Sequence, residues 1–390
     1  MEKRIVYLDH AAATPLEPRV KEAMLPYLGE QYGNPSAIYS IGRVAKEALD
    51  NARQAVAQVL GCTASEIIFT GSGTESDNLA IFGVAKGYDG RGKHVIISNF
   101  EHHAVLNPCE ALQKEGYEVT FLKVDHDGLI TSEQLQAAIR PDTLLISIMY
   151  ANNEIGTIEP IVELTRALRT WKKEHNRKDT EPPFFHTDAC QAAGYLDIGV
   201  KQLGVDFMTI NGSKIYGPKG TGVLYARRGL RLKPLIYGGG QEFKLRSGTE
   251  NVAGIVGLAA ALQIVQDEKD KETARLTPLR DKLITVIMAQ IPKIFLNGHQ
   301  TKRLPNNVSV SILDIEGEAM LLYLDEHGIC ASTGSACDSR TLEPSHVLRA
   351  LGKSPNEVRA SIRFTLGRST TAKDMDYVLE VLASIVHNLR

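Results

Sequence analysis

A chain of 390 residues has room for a large core and two domains. With 43% hydrophobic and 23% charged residues it falls among ordinary soluble globular proteins, and a net charge of −2 gives no electrostatic reason to expect a nucleic-acid partner. The opening residues MEKRIVYLDH lack the apolar run of a signal peptide, and Val252–Val265, the most apolar stretch, is too short to span a bilayer, so no membrane association is expected.

Helical spacing of apolar residues marks Ile41–Leu60. Glu66–Thr70 reads as a strand, followed by a glycine turn and a helix in SDNLAIFGVAKG. His94–Ser98 reads as the next strand, with a helix after it in HHAVLNPCEALQKEG. Leu144–Tyr150, Phe184–Ala189, Asp206–Ile210 and GTGVLYA continue the alternation. Such alternation predicts an α/β fold with a mainly parallel sheet wrapped on both faces. Lys172–Pro183 reads as a surface excursion, Gly238–Asn251 as a long glycine-rich loop of the kind that often carries function, and Asp267–Arg275 as a solvated helix face. Val252–Val265 reads as a buried helix. Val308–Asp314, a helix from Gly317 and Ala360–Gly367 then predict a smaller α+β domain. The expected division is 15–260 for the large domain and 1–14 plus 261–390 for the small one.

In open parallel sheets, ligands bind beyond the carboxyl ends of the strands. Five of the predicted strands end in polar or glycine residues: Gly71–Thr74, Glu101–His103, Ala151–Glu154, Asp188 with Gln191, and Asn211–Lys214. Gly73 and Thr74 open a helix, whose free N–H groups suit an anion. Lys214 at one strand end and Asp188 at another form the pair that pyridoxal phosphate requires: an amine for its aldehyde and an acid for its ring nitrogen. His102 could stack on such a ring, or simply start a helix. Asp188 could equally cap a helix or form a structural ion pair. No Cys/His spacing matches a zinc site, so no metal is expected.

Five cysteines (Cys62, Cys109, Cys190, Cys330 and Cys337) do not make a disulfide scaffold, and a reducing cytoplasm is the expected compartment. Cys337 lies among small residues in ASTGSACDSRTLEPSHVLRAL and is a candidate nucleophile. The other four read as packing residues. Arg363, in a predicted strand, could grip a carboxylate in a two-pronged contact.

From YLDHAAATPLEPRV and GNPSA through TGSGTESDNLAI, EHHAVL, NNEIGT, HTDACQ, SKIYGPKG, RSGTEN and STGSACDSRTLEPSHVLRALG to SIRFTLGR, the chain resembles the group I cysteine desulfurases. These belong to the class V aminotransferase family of fold type I pyridoxal-phosphate enzymes. The resemblance implies that Lys214 bonds the cofactor and shuttles protons, and that Asp188 pairs with the ring nitrogen. It further implies that His102 stacks on the ring and assists proton transfer as a catalytic residue, that Gln191 and Asn153 approach its oxygen, and that Gly73, Thr74, Asn211 and Ser213 hold the phosphate. Thr249 would reach the neighbouring subunit's cofactor in a homodimer. Asn153 and Arg363 would bind the substrate, L-cysteine, and Cys337 would take its sulfur. The acceptor implied is an iron–sulfur scaffold protein or a tRNA-thiolation relay. Selenocysteine lyase, a related aminotransferase and a catalytically silent sulfur-transfer scaffold are the alternative readings. Ser213 stands where the family usually has histidine, Asn211 where serine is frequent, and Asp338 where an uncharged residue is common. The sequence ends at HNLR, without the longer tail of some housekeeping members, which puts the scaffold partner in question.

Overall fold

The computed structural model describes residues 4–334 and 344–390. A seven-stranded sheet forms the centre. Its strands run, edge to edge, Ile67–Thr70, Gly222–Ala226, Phe207–Asn211, Phe184–Asp188, Thr143–Ser147, His94–Ser98 and Glu118–Leu122. The last five pair in parallel. Gly222–Ala226 is antiparallel to both neighbours, so the alternation expected through GTGVLYA stops at Asn211. The reason is the connection: only a short turn, Gly212–Lys214, and a loop separate the two strands, and parallel pairing needs a longer crossover. Glu118–Leu122 escaped the sequence reading because it is a partly exposed edge strand without a continuous apolar run.

Phe184, Phe185, Phe207, Ile96 and Ile97 fill both faces of the sheet and are fully buried. Helices cover them. Ser40–Leu60 presents Ala45, Leu49, Ala52, Val56 and Leu60 inward at three- and four-residue spacing and stops at Gly61, whose φ of 68° suits glycine. Gly73–Gly87 is capped by the Ser72 hydroxyl, which accepts from the Glu75 N–H at 3.1 Å. The apolar helix Val252–Asp267 packs on Pro18–Leu28 and Ser40–Leu60, running through residue 260 without a break. Among the described residues no helix is long and apolar enough to cross a membrane.

A second, antiparallel sheet orders Ser361–Thr365, Asn307–Ile312 and Ile294–Leu296. The N-terminal strand Val6–Tyr7 pairs with Ile329–Cys330, and the Thr365 N–H donates to the Leu8 carbonyl at 2.7 Å. The chain's start is thereby tied to its last third, which carries Ala11 and Ala12 toward the large sheet.

Three of the expected segments gain detail, and one of them is corrected at its start. Lys172 belongs to the helix Ile161–Glu174 and is only 5% exposed, its ammonium over the Phe184 ring at 5.2 Å. Gly238–Asn251 is pinned, because Glu242 turns inward and accepts from Arg53 at 2.6 and 2.8 Å and from the Phe69 N–H at 2.8 Å. Asp267–Arg275 is split between two helices with none of its residues buried, in keeping with a solvated face, and Arg275 at its end donates to the carbonyls of Gly367 and Thr370.

Candidate active site

One cavity lies where the parallel strands end. The Phe207–Asn211 strand ends in a tight turn that carries Lys214 into it, and Lys214 Nζ donates to the Ala12 carbonyl at 2.5 Å. The neighbouring strand delivers Asp188, whose Oδ1 accepts from the Cys190 N–H at 2.8 Å. Gln191 follows, held to the Ala11 carbonyl at 3.0 Å. Gly73 and Thr74 open their helix onto the same space. A Cβ on Gly73 would stand 2.8 Å from Cys190 Sγ and 3.3 Å from Asn211 Cβ, so only a bare backbone fits there.

Asn211 lines the cavity with its carboxamide oxygen turned to the Ser213 N–H at 3.0 Å and the Ser213 hydroxyl at 3.1 Å. Ser213 itself does not line the cavity: its hydroxyl goes to Asn211 and its carbonyl to the Thr14 N–H. Thr249 is exposed and likewise lies outside the cavity of its own chain. His102 caps the helix His103–Lys114 through Nδ1, which accepts from the Ala104 N–H, and its ring borders the cavity.

The small sheet closes the far side. Arg363 is 2% exposed; it donates to Asp9 Oδ1 at 2.8 Å and to the Asn153 carbonyl at 2.9 Å, and its Nε has no hydrogen-bond partner among the described residues. Asn153 lines the cavity beside it. Cys337 lies outside the described residues. Gly334 before it and Pro344, Ser345 and His346 after it all line the cavity. The Ser345 hydroxyl donates to Glu154 Oε2 at 2.5 Å, and His346 Nε2 meets the Glu101 carbonyl at 2.8 Å.

An amine, a buried carboxylate, a helix N-terminus and a guanidinium with a spare donor thus converge on one space. Residues 6–378 match the family model described as aminotransferase class V. The chain belongs to the class V aminotransferase family. It is 50% identical to cysteine desulfurase IscS of Dictyoglomus turgidum, aligning over all of this chain and 96% of that protein. It is also 50% identical to cysteine desulfurase IscS of Methanosarcina thermophila, over all of this chain and 94% of that one. A solved NifS-like protein superposes with a TM-score of 0.91 at 36% identity, covering 99% of this chain and 100% of its own. SspA, solved in complex with cysteine, superposes with a TM-score of 0.79 at 36% identity, covering 92% and 98%. The α/β architecture is that of fold type I.

This class V site also contains, or adjoins, side chains that sequence reasoning passed over. Cys190, read as packing, is only half-buried and borders the cavity beside Asp188. Burial and the Asp188 charge push its thiol well up, so it is held protonated. Glu101 is fully buried, and burial pushes its carboxyl up to about 8 against donors from Ser98 and Met149. Asp77 and Glu154 complete the set of acids. A signal existed for two of them: Glu101 and Glu154 stand in the strand-end segments singled out for ligand binding. Asp77 follows Gly73 by four residues, which places both on one helix face.

Proposed function

We propose that this protein is a pyridoxal-phosphate-dependent L-cysteine desulfurase that converts L-cysteine to L-alanine and collects the sulfur as a persulfide on Cys337. One observation carries the reading: Lys214, Asp188 and Arg363 open onto a single cavity, and both flanks of the Cys337 segment border it. The names of the relatives and the cysteine-bound neighbour point the same way.

The residues fit the cofactor. The bare backbone at Gly73 leaves room that any side chain would fill, and the first-turn N–H groups there suit a phosphate. Asp188 supplies a buried carboxylate to the same cavity as the Lys214 amine. When bound, pyridoxal phosphate would supply an aldehyde for that amine and a protonated ring that draws electrons from the substrate's α-carbon. Gly73, Thr74 and Asn211 would hold its phosphate, with Ser213 acting through Asn211. His102 would cover the ring, Asp188 would hold the ring nitrogen's proton, and Gln191 and Asn153 would approach the ring oxygen. Thr249 would complete the phosphate site of a partner subunit, making the working enzyme a homodimer.

For the substrate, Arg363 grips the carboxylate with the donor left over from Asp9 and Asn153. Lys214 takes a proton from the α-carbon side and returns one to the methyl carbon of the product. The Cys337 sulfur bonds to the substrate sulfur as the carbon–sulfur bond breaks. That bond's electron pair stays with carbon, which gains a proton, and the transferred sulfur leaves oxidised as persulfide. A sulfur-acceptor protein, of the iron–sulfur scaffold or tRNA-thiolation kind, then discharges it in the cytoplasm. The test is incubation of the purified protein with pyridoxal phosphate and L-cysteine, with alanine and protein persulfide followed by mass spectrometry. Alanine in step with a persulfide on the Cys337 peptide is the expected result; keto-acid-dependent amino transfer without persulfide would refute it.

A further inference from the structure

Besides Asp188, a second carboxyl from the strand-covering helix borders the cavity. Asp77 stands one turn into the Gly73–Gly87 helix, is 1% exposed, and borders the cavity. The Thr209 hydroxyl bonds to it. Its Oδ1 lies 3.5 Å from His186 Nε2, too far for a good hydrogen bond, and has no other partner among the described residues. A buried polar atom left so is costly unless it serves something.

Strand register assembles the surroundings. Ser147 pairs with His186, and Asp188 pairs with Thr209. Paired residues on adjacent strands share a face, and so do His186 and Asp188, two apart on one strand. The helix bearing Asp77 packs across these strands. Ser147 Oγ lies 2.8 Å from His186 Nδ1, and His186 Nε2 lies 3.1 Å from Thr209 Oγ1. Burial pushes the imidazole down to about 4, so it is neutral and carries one N–H. The donors then run in one direction: Ser147 to Nδ1, Nε2–H to Thr209, and Thr209 to Asp77. Around Asp77 stand Asp188 and His186 from one strand, Glu101 from the loop after another, and Cys190, while Lys214 lines the same cavity. Burial and the Asp188 charge push Asp77 well above the ordinary carboxyl range. Asp77 therefore sits beside Asp188 as a buried carboxyl that favours its neutral form.

We propose that Asp77 is a positioning residue, a second buried carboxyl that, through the Thr209 and His186 side chains on the same face, keeps the Asp188 carboxyl turned to the cavity. This rests on the cofactor reading above. Without that support, Asp188 holds the ring nitrogen's proton less firmly. The ring then repels a second proton less, and the bound cofactor's visible band titrates at higher pH.

The test is a pH titration of that band in purified holoenzyme, alongside steady-state kinetics. Asp77→Ala is expected to raise the midpoint by about one unit and to lower kcat about tenfold, with KM within twofold. Asp77→Asn keeps the shape and the Thr209 bond without a charge, and returns the midpoint to within about 0.3 unit of wild type. Thr209→Val, which removes the hydroxyl that holds Asp77, moves the midpoint in the same direction and serves if Asp77→Ala does not fold. An unmoved midpoint in both Asp77→Ala and Thr209→Val overturns the proposal, as does Asn behaving like Ala. Wild-type protein that takes up no cofactor overturns the cofactor reading first, and the proposal with it.

Discussion

Arg363→Lys separates substrate gripping from every other job that arginine could have. The guanidinium spends one arm on Asp9 at 2.8 Å and another on the Asn153 carbonyl at 2.9 Å, leaving Nε–H over. A lysine ammonium keeps the charge beside Asp9, but as a point donor it cannot span both protein partners and a carboxylate in one plane. Losing one prong of a charge-assisted contact costs about 1.5–3 kcal/mol, which is about 10- to 100-fold in affinity. The substrate carboxylate does not change in the reaction, so the loss is equal in ground and transition states. KM for L-cysteine should therefore rise by about that factor while kcat stays within about threefold. Arg363→Ala is a poorer probe, because it also strips the part-buried Asp9 carboxylate of its ion-pair partner and so mixes a stability change with the binding effect. Initial rates of alanine formation against L-cysteine concentration read the effect. An unchanged KM with a fallen kcat would refute the carboxylate role.

Glu242→Ala should destabilise the fold by about 3–5 kcal/mol, since it strands the buried Arg53 cation; adding Arg53→Met should recover most of the denaturation midpoint, and equal midpoints for the single and double variants would refute the ion-pair argument. Cys337→Ser should retain the cofactor's visible band and lose protein persulfide, whereas sulfide release at the full rate would remove Cys337 from the mechanism. Lys214→Ala should no longer be linked to the cofactor by borohydride, and a labelled peptide at another lysine would refute the assignment. Glu101 holds its proton to about pH 8 when folded, against an ordinary value of 4.5, so the folded state binds the extra proton between those limits. Its contribution is complete below pH 4.5 and is lost as pH rises to 8. Between pH 5 and 8, wild type should lose more stability than Glu101→Gln, by on the order of a few kcal/mol, and parallel curves would count against a neutral Glu101.

Local pattern reveals what a strand carries and what it presents at its end; it does not reveal which side chains meet across strands. The alternation up to Asn211, and the strand ends from which Gly73, Asp188, Asn211 and Lys214 reach the cavity, follow from periodicity and glycine placement. GTGVLYA has the same local pattern as its parallel neighbours, and only the length of its connection turns it round. Glu242 looks like a loop acid until the helix carrying Arg53 is laid beneath it, 189 residues away in sequence. Cys190 illustrates the same limit: its neighbours are apolar, which reads as packing, yet the turn after Asp188 swings it to the cavity wall. His186 was half legible. Two residues before Asp188 on one strand, it had to share that side chain's face, so a histidine beside the acid could be inferred from spacing alone. Its neutrality and its link through Thr209 to Asp77 could not, because they depend on a register between strands and on a helix laid across them. The two acids on which the Asp188 charge acts come from a helix, Asp77, and from the loop after another strand, Glu101, and that is why a sequence that displays the cofactor's lysine so openly conceals what surrounds the acid paired with it.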